Sequence, residues 1–235
     1  MSPLLPFRKR DEIIFEGEGT KMRAIVVAKG HVQKGLSKLI SFGPQDEIIC
    51  VDGGAHNALE LGLRPSVVIG DMDSLDERLL KELREEGCIF ITHEREKDKV
   101  DTQLAVEYAV ERGADEIIMV GVLGSRLDHT LANLYLLASP VLKGVKVRMI
   151  DEVQEIYLIK DFGIIEGRAG DTVSLISLTP VTKGIYTKNL KYALTDGELT
   201  LDFPRGISNV LTASPGEVRI GEGLLLVVRL LGPIT

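Results

Sequence analysis

Two aspartates separated by a single residue follow a short apolar segment of the sequence. Residues 67–69 are apolar and β-branched, Gly70 follows them, and Asp71 and Asp73 come next. Carboxylates this close raise each other's pKa unless a cation lies between them. Mg²⁺ suits such a pair, because it takes oxygen ligands from a few carboxylates and from substrate phosphates. The spacing therefore predicts a site for Mg²⁺ and a phosphate group.

Other charged and small residues follow the neighbouring apolar segments. They are Asp52, Gly53, Gly54, Lys97, Asp98, Asp101, Arg126, Asp128 and His129. Ligands of an open parallel sheet bind beyond the carboxyl ends of its strands, so these residues should share one rim with the aspartate pair. Glycines would let the backbone approach a phosphate closely, and Arg126 would neutralise its charge. The sequence lacks both the GxGxxG fingerprint and the Walker A motif. The rim itself predicts nucleotide-dependent phosphoryl or related transfer.

Each of these residues also has a simpler structural explanation when it is taken alone. An aspartate after a strand often caps the next helix, and Asp101 or Ser74 could do so. Arg126 and Asp128 could form a surface ion pair, and His129 could be an ordinary residue at a helix start. Capping does not account for two aspartates one residue apart, so the magnesium-phosphate interpretation is preferred.

The segments that carry these residues alternate between strand-like and helical patterns. In residues 21–152, continuous apolar runs alternate with helical repeats, which predicts a Rossmann-like α/β domain with a parallel sheet covered on both faces. In residues 153–235, short strand patterns are separated by Gly, Pro and Asp-Gly turns, which predicts an all-β sandwich domain. Residues 1–20 mix proline, charge and glycine and are interpreted as an N-terminal extension.

The composition limits the classes of protein to consider. Of 235 residues, 44% are hydrophobic and 27% charged, the balance of a soluble globular protein. The net charge of -7 argues against a general binder of nucleic acid or of membrane surfaces. We see no signal peptide and no apolar run long enough to cross a bilayer. Cys50 and Cys88 are interpreted as free thiols in a reducing compartment, so a cytoplasmic location is expected.

Six short motifs follow one another along the chain. They are DGGA at 52–55, GDMDS at 70–74, KDKVD at 97–101, GVLGSRLDH at 121–129, LKY at 190–192 and GISN at 206–209. Each motif is weak alone, but the series, in this order and spacing, is specific. It resembles the thiamine pyrophosphokinase family, and the match runs from about Ile25 to near the C-terminus.

The resemblance implies an enzyme that transfers a pyrophosphoryl group from ATP to thiamine, giving thiamine diphosphate and AMP. It also implies a homodimer with active sites at the subunit interface, an α/β domain for ATP and Mg²⁺, and a β-sandwich domain for thiamine and dimerisation. The implied metal ligands are Asp71, Asp73 and Asp101, which with Arg126 form the implied catalytic set. The implied ATP and phosphate residues are Asp52, Gly53, Gly54, Lys97, Asp98, Gly124, Arg126, Asp128 and His129. The implied thiamine residues are Tyr192, Ser208 and Asn209.

Three positions depart from the family pattern, and two other functions stay open. Val100 replaces a hydroxyl residue in KDKVD, Gln103 stands where Glu is common, and Val210 follows GISN where Glu is frequent. No implied metal ligand is replaced. The first alternative is a pyrophosphokinase for another alcohol, such as a hydroxymethylpterin. The second is a non-catalytic relative that binds thiamine or a nucleotide.

Overall fold

The structure is a computed structural model, and it describes residues 22–92, 99–124 and 126–232. The predicted N-terminal extension, residues 1–20, lies outside the described residues.

In the N-terminal half of the chain, strands alternate with helices as the sequence predicts. The strands are β1 (Met22–Val27), β2 (Glu47–Val51), β3 (Val67–Ile69), β4 (Ile89–Ile91), β5 (Ala114–Val120) and β6 (Lys146–Ile150). The helices are α1 (Gly54–Glu60), α2 (Glu77–Glu85), α3 (Asp101–Glu111) and α4 (Leu127–Leu136), with short 3₁₀ turns at Lys34–Lys38 and Pro140–Leu142. All six strands pair in parallel, so their carboxyl ends lie at one edge of the sheet.

Both faces of this parallel region are buried. Alternate residues of β1 point to opposite faces, so Ala24 and Val26 enter one core cluster while Ile25 and Val27 enter another. Helices α3 and α4 cover the first face, and α1 and α2 cover the second. Strands buried on both sides explain why these segments are continuous apolar runs without polar alternation.

The C-terminal half of the chain consists of strands and turns, and residues 151–232 contain no helix. Its strands are β7 (Gln154–Ile159), β8 (Phe162–Ile165), β9 (Thr172–Ser177), β10 (Val181–Lys188), β11 (Gly197–Thr200), β12 (Asn209–Val210), β13 (Gly216–Arg219) and β14 (Leu225–Leu230). Four of them form a separate sheet in the order β11-β10-β13-β8. A buried apolar cluster joins this small sheet to β7, β9 and β14.

The remaining strands extend the parallel sheet instead of forming a sheet of their own. The large sheet has ten strands in the order β12-β9-β14-β7-β6-β5-β1-β2-β3-β4. Strand β7 pairs with β6 in the antiparallel direction, with Met149 opposite Ile156. The predicted boundary at residues 152/153 therefore falls in a tight connection between adjacent strands. The fold is a mixed sheet with a second, antiparallel sheet beside it.

A ladder of charged side chains crosses the large sheet where its two halves meet. Arg148 on β6 bonds to Glu116 on β5 at 2.6 Å and to Glu155 on β7 at 2.9 Å. Arg229 on β14 bonds to Glu155 at 2.8 Å and lies 3.5 Å from Asp171, just before β9. Glu155 is 7% exposed and accepts from both arginines, so it is the central acceptor of this charged ladder.

Replacing Glu155 with alanine should therefore cost more stability than breaking a surface pair. The substitution leaves two partly buried guanidinium groups without their shared acceptor, and we expect a loss of about 2–3 kcal/mol in the free energy of unfolding. Urea unfolding measures it. Glu217→Ala is the matched control, because Glu217 pairs with the exposed Lys188 and its loss should cost less than about 1 kcal/mol. Equal losses in the two variants would contradict this role for Glu155.

Two further observations concern the expected compartment. Both cysteines are free thiols, with Cys50 buried in β2 and Cys88 partly buried before β4. Burial raises the pKa of the Cys88 thiol to about 11. Among the described helices, none combines the length and the apolar composition needed to cross a bilayer.

Candidate functional site

A hydrogen bond to an aspartate side chain connects the loops that follow β2 and β3. Asp52 follows β2 with a φ of 46°, and its Oδ1 accepts a hydrogen bond from the Asp71 backbone N–H at 3.0 Å. Asp71 Oδ1 accepts in turn from the Asp73 N–H at 3.2 Å. Asp101 is the first residue of α3. We call Asp52, Asp71, Asp73 and Asp101 the acidic cluster.

A glycine makes this close approach of the two loops possible. Gly70 has a φ of 142°, and a Cβ at this position would lie 1.7 Å from Asp52 Oδ1. Any side chain would therefore collide with the carboxylate that fastens Asp71. The glycine of GDMDS is needed for space as well as for its backbone conformation.

The electrostatics of the acidic cluster indicate mutual repulsion. Burial, together with the carboxylates of Asp101 and Asp71, raises the pKa of Asp52 to about 6, although the Asp71 N–H acts in the opposite direction. A raised carboxyl pKa beside other carboxylates is the pattern that a bound cation relieves. Oxygen donors alone fit a hard cation such as Mg²⁺.

The carboxylates do not form a complete metal site by themselves. Within residues 22–92, 99–124 and 126–232, no three His, Cys, Asp or Glu side chains have the arrangement of a preformed metal site. This is compatible with Mg²⁺ bound together with a nucleotide, because Mg²⁺ commonly takes one or two carboxylates and completes its shell with phosphates and water. The donor chemistry fits the ion, and the assignment of ligands stays a prediction.

The simpler capping explanations are wrong for both candidate residues. Helix α3 has Val100 as its N-cap, and no side chain caps it, so Asp101 is not a cap. Helix α2 is capped by Asp76, whose Oδ1 accepts from the Leu79 N–H at 2.8 Å. Ser74 instead accepts a hydrogen bond from Lys29 Nζ at 3.0 Å. The side chain of Asp101 therefore does not cap α3, which was its simpler structural explanation.

The two glycines after Asp52 pack against the end of β1. Helix α1 begins at Gly54, where a Cβ would lie 2.0 Å from the Val27 carbonyl oxygen. Gly53 precedes it and is covered by the side chain of Lys29. Both glycines therefore have a packing reason to be there, and their contact with phosphate stays a prediction. Lys97 and Asp98 lie outside the described residues.

The loop after β5 carries the second set of predicted residues. The Gly124 N–H donates to Thr130 Oγ1 at 3.2 Å, which ties the loop to α4. Arg126 Nε donates to Asp128 Oδ1 at 3.2 Å, and the two side chains are 69% and 63% exposed. The guanidinium group lowers the pKa of Asp128 to about 2. His129 is an exposed residue in the first turn of α4. The surface ion pair between Arg126 and Asp128 that the sequence allows is therefore present. Only strand β1 lies between β5, which carries this loop, and β2, which ends at the acidic cluster.

The third set of predicted residues is held together by one buried amide. Asn209 Oδ1 accepts from the Tyr192 N–H at 2.9 Å, and its Nδ2 donates to the Tyr192 carbonyl at 2.8 Å. The Ser208 N–H donates to Ser174 Oγ at 3.1 Å. The Tyr192 side chain itself is 61% exposed. The structure thus gives Asn209 the role of fixing the Tyr192 backbone beside Ser208. The exposed ring of Tyr192 has Lys191 Nζ 5.5 Å from its centroid.

Two adjoining clefts lie between the second and third sets. A cleft of about 600 Å³ separates the loop after β5 from the C-terminal strands, with Gly124 on one side and Ser174 and Ile207 on the other. A second cleft of about 300 Å³ is lined by Tyr192, Ile207 and Asn209. Ile207 borders both clefts. Tyr192 and Asn209 line the smaller cleft, and the loop after β5 lines the larger one.

Two protein-family models match the chain, one in each half. The model for the thiamin pyrophosphokinase catalytic domain matches residues 42–149, and the model for the thiamin pyrophosphokinase vitamin B1 binding domain matches residues 156–225. Together they include most of the chain, and the interval between them contains the β6–β7 connection.

Individual relatives agree with the family models. A thiamine pyrophosphokinase of Bacillus subtilis (strain 168) is 29% identical over 212 residues, which cover 88% of this chain and 99% of that protein. The crystal structure of the thiamine pyrophosphokinase from Bacillus subtilis has a TM-score of 0.79 at 26% identity, covering 90% of this chain and 100% of that one. Yeast thiamin pyrophosphokinase has a TM-score of 0.75 at 15% identity over 90% of this chain and 87% of that one, which shows a shared fold alone.

Proposed function

The chain belongs to the thiamine pyrophosphokinase family, and we propose that it transfers the β,γ-diphosphate group of ATP to the hydroxyl of thiamine at the acidic cluster. The thiamine oxygen attacks the β-phosphorus, the bond between that phosphorus and the α,β-bridging oxygen breaks, and AMP leaves. The hydroxyl proton is released, so the products are thiamine diphosphate and AMP.

The observation that carries the proposal is the acidic cluster. Its loops converge because Asp52 accepts a hydrogen bond from the Asp71 N–H. Burial, together with the neighbouring carboxylates, raises the pKa of Asp52 to about 6. Asp71, Asp73 and Asp101 would hold Mg²⁺, which supplies charge neutralisation for the triphosphate when bound. With no covalent intermediate needed, these residues act by positioning and by electrostatics. The exposed Arg126 would add a cation to the phosphates after leaving Asp128.

Thiamine is assigned to the third set of residues. Its thiazolium carries a fixed positive charge, and the exposed ring of Tyr192 already has a cation, Lys191 Nζ, 5.5 Å from its centroid. The thiazolium would take the place of that ammonium over the ring. Ser208 directly follows Ile207, which borders both clefts, and its hydroxyl would bond a polar atom of the acceptor. On this assignment residues 21–152 bind ATP and Mg²⁺, and residues 153–235 bind thiamine.

A homodimer with shared active sites is part of the proposal. Six strands separate β12 from β2 in the large sheet, about 34 Å at the usual strand spacing of about 4.8 Å. One thiamine molecule does not span that distance, whereas a second copy can bring its C-terminal residues to the acidic cluster. Large apolar side chains are exposed in the connections between β10 and β12 and on α4, as expected of an interface. They are Tyr192, Leu201, Phe203, Ile207, Leu127, Leu131 and Tyr135.

Incubation of the protein with ATP, Mg²⁺ and thiamine tests the proposal, with nucleotides and thiamine esters separated by chromatography. We expect AMP and thiamine diphosphate in equal amounts, with neither formed when thiamine or Mg²⁺ is left out. ADP with thiamine monophosphate would contradict transfer at the β-phosphorus. Formation of AMP in the absence of thiamine would contradict thiamine as the acceptor. A parallel incubation with a hydroxymethylpterin in place of thiamine tests the alternative acceptor directly.

The split of roles between the two halves gives a kinetic prediction. Tyr192→Ala combined with Ser208→Ala should raise KM for thiamine about tenfold or more while KM for ATP changes less than about twofold, because both side chains contact only the acceptor. Steady-state kinetics with each substrate varied in turn measure this. Tyr186→Ala is the control, since Tyr186 lies on β10 away from both clefts. Equal increases in the two KM values would contradict the assignment.

A further inference from the structure

A lysine that belongs to none of the motifs lies beside the acidic cluster. Lys29 follows β1, the strand between β5 and β2, so it stands near the middle of the rim. Its Nζ donates to Ser74 Oγ at 3.0 Å, and Ser74 Oγ donates to Asp73 Oδ1 at 3.4 Å. One hydroxyl group therefore separates the ammonium from a carboxylate of the cluster.

The backbone around Lys29 is held in place from both sides. Asn57 Nδ2 on α1 donates to the Ala28 carbonyl at 2.7 Å and to the Gly30 carbonyl at 2.8 Å. The aliphatic part of the lysine lies across Gly53, where a Cβ would come within 2.8 Å of Lys29 Cδ and 3.1 Å of Cε. A glycine at position 53 therefore lets the lysine stem cross the turn after Asp52, and the stem buries that glycine. Backbone and stem are fixed, while the ammonium lies at the exposed end.

The excess of negative charge at the rim would favour a cation such as the Lys29 ammonium there. The loops of the acidic cluster already bring carboxylates together beside Lys29, and a triphosphate would add several negative charges next to them. Arg126 is engaged by Asp128, so a phosphate must compete with that carboxylate for it. The partner of Lys29 is a neutral hydroxyl, which costs less to exchange for a phosphate oxygen.

We propose that Lys29 is a phosphate-binding residue, whose ammonium moves from Ser74 Oγ to the triphosphate when Mg²⁺ and nucleotide bind. Because a triphosphate reaches this rim only if the proposed function is right, the role of Lys29 rests on that function. A lysine serves here as a point charge, with three donors at the end of its stem that can follow the phosphate oxygens.

Isothermal titration with α,β-methylene-ATP and Mg²⁺ tests this role without turnover, since the bond that breaks in the reaction is replaced. We expect Lys29→Met to weaken binding about tenfold and Lys29→Arg to stay within about threefold of the wild type. Ser74→Ala should leave the affinity unchanged, because it removes only the partner that the ammonium leaves. Lys183→Met, which removes the same charge on β10 of the small sheet, should have no effect.

The outcomes separate the two proposals. Failure of the wild-type protein to bind the analogue would contradict the nucleotide site itself. Normal binding by Lys29→Met would overturn the role of Lys29 alone. If Ser74→Ala weakened binding as much as Lys29→Met, the lysine would act only by holding the loop of residues 71–74, and phosphate contact would be wrong. Urea unfolding of Lys29→Met, with a midpoint equal to that of the wild type, establishes that the variant is folded.

Discussion

Asp71→Asn should lower kcat about a thousandfold while leaving the fold intact. Asp71 is placed to bind the metal that neutralises the triphosphate, and losing about 4 kcal/mol of that stabilisation corresponds to this factor. Its backbone N–H, which fastens the loop to Asp52 at 3.0 Å, is kept in the variant. Formation of AMP under saturating ATP and thiamine measures the loss. Asp115→Asn is the control, because Asp115 lies at the amino end of β5, on the opposite edge of the sheet.

The same variant makes a prediction about stability and pH. Burial and the neighbouring carboxylates raise the pKa of Asp52 from 3.8 to about 6, so between these values the folded chain holds more protons than the unfolded chain. Stability from this group is therefore lost as the pH rises from about 4 to about 6. Removing the charge of Asp71 should reduce that loss. Urea unfolding at pH 4 and pH 7 should show Asp71→Asn at least as stable as the wild type at pH 7. Turnover near the wild-type rate, or a large loss of stability at pH 7, would contradict the assignment.

The acidic cluster could be predicted from the sequence because its geometry follows from a local rule. The carboxyl ends of neighbouring parallel strands share an edge, so polar residues directly after β2 and β3 had to meet. That rule required only the identification of each strand, and continuous β-branched runs made this possible. The same rule applied to β1 would have indicated Lys29, but a single lysine after a strand gives no sign of where its flexible stem leads.

The ten-stranded sheet could not be predicted in the same way. The pairing of β7 with β6 and of β14 with β7 depends on contacts between segments distant in sequence, and short alternating strands fit either a separate sheet or an extension of the first. Strand β12 has two residues and β8 has four, which is too short for a periodic pattern. These pairings are decided by packing between strands.

The cap of α2 shows how tertiary contacts change a local prediction. Both Ser74 and Asp76 are good N-cap residues, and sequence alone gives no reason to choose between them. In the structure Asp76 caps the helix, and Ser74 bonds to Lys29 from another strand. At Val100, by contrast, the structure agrees with the local prediction. The N-cap of α3 has no side-chain acceptor there, as the loss of a hydroxyl residue from the motif implies.

Gly70→Ala should both destabilise the fold and disable the site. A methyl group there would lie 1.7 Å from Asp52 Oδ1 in a backbone conformation, φ of 142°, that alanine avoids. We expect a loss of about 3 kcal/mol in the free energy of unfolding, measured in urea, and a large fall in AMP formation because Asp52 and Asp71 must move apart. Gly62→Ala is the matched control, since Gly62 also has a positive φ, of 77°, with no atom within 4 Å of its Cβ position. It should cost about 1 kcal/mol from backbone strain and leave turnover unchanged.

A double-mutant cycle separates the collision at Gly70 from backbone strain. If the methyl group acts by striking the carboxylate, then Gly70→Ala should cost distinctly less in a protein that already carries Asp52→Ala, because the colliding oxygen is gone. We expect a coupling of about 1–2 kcal/mol between the two positions, whereas Asp52→Ala combined with Gly62→Ala should be additive. Additivity at Gly70 would mean that strain alone accounts for the effect, and the close packing of Asp52 on this glycine would then not be what sets the geometry of the acidic cluster.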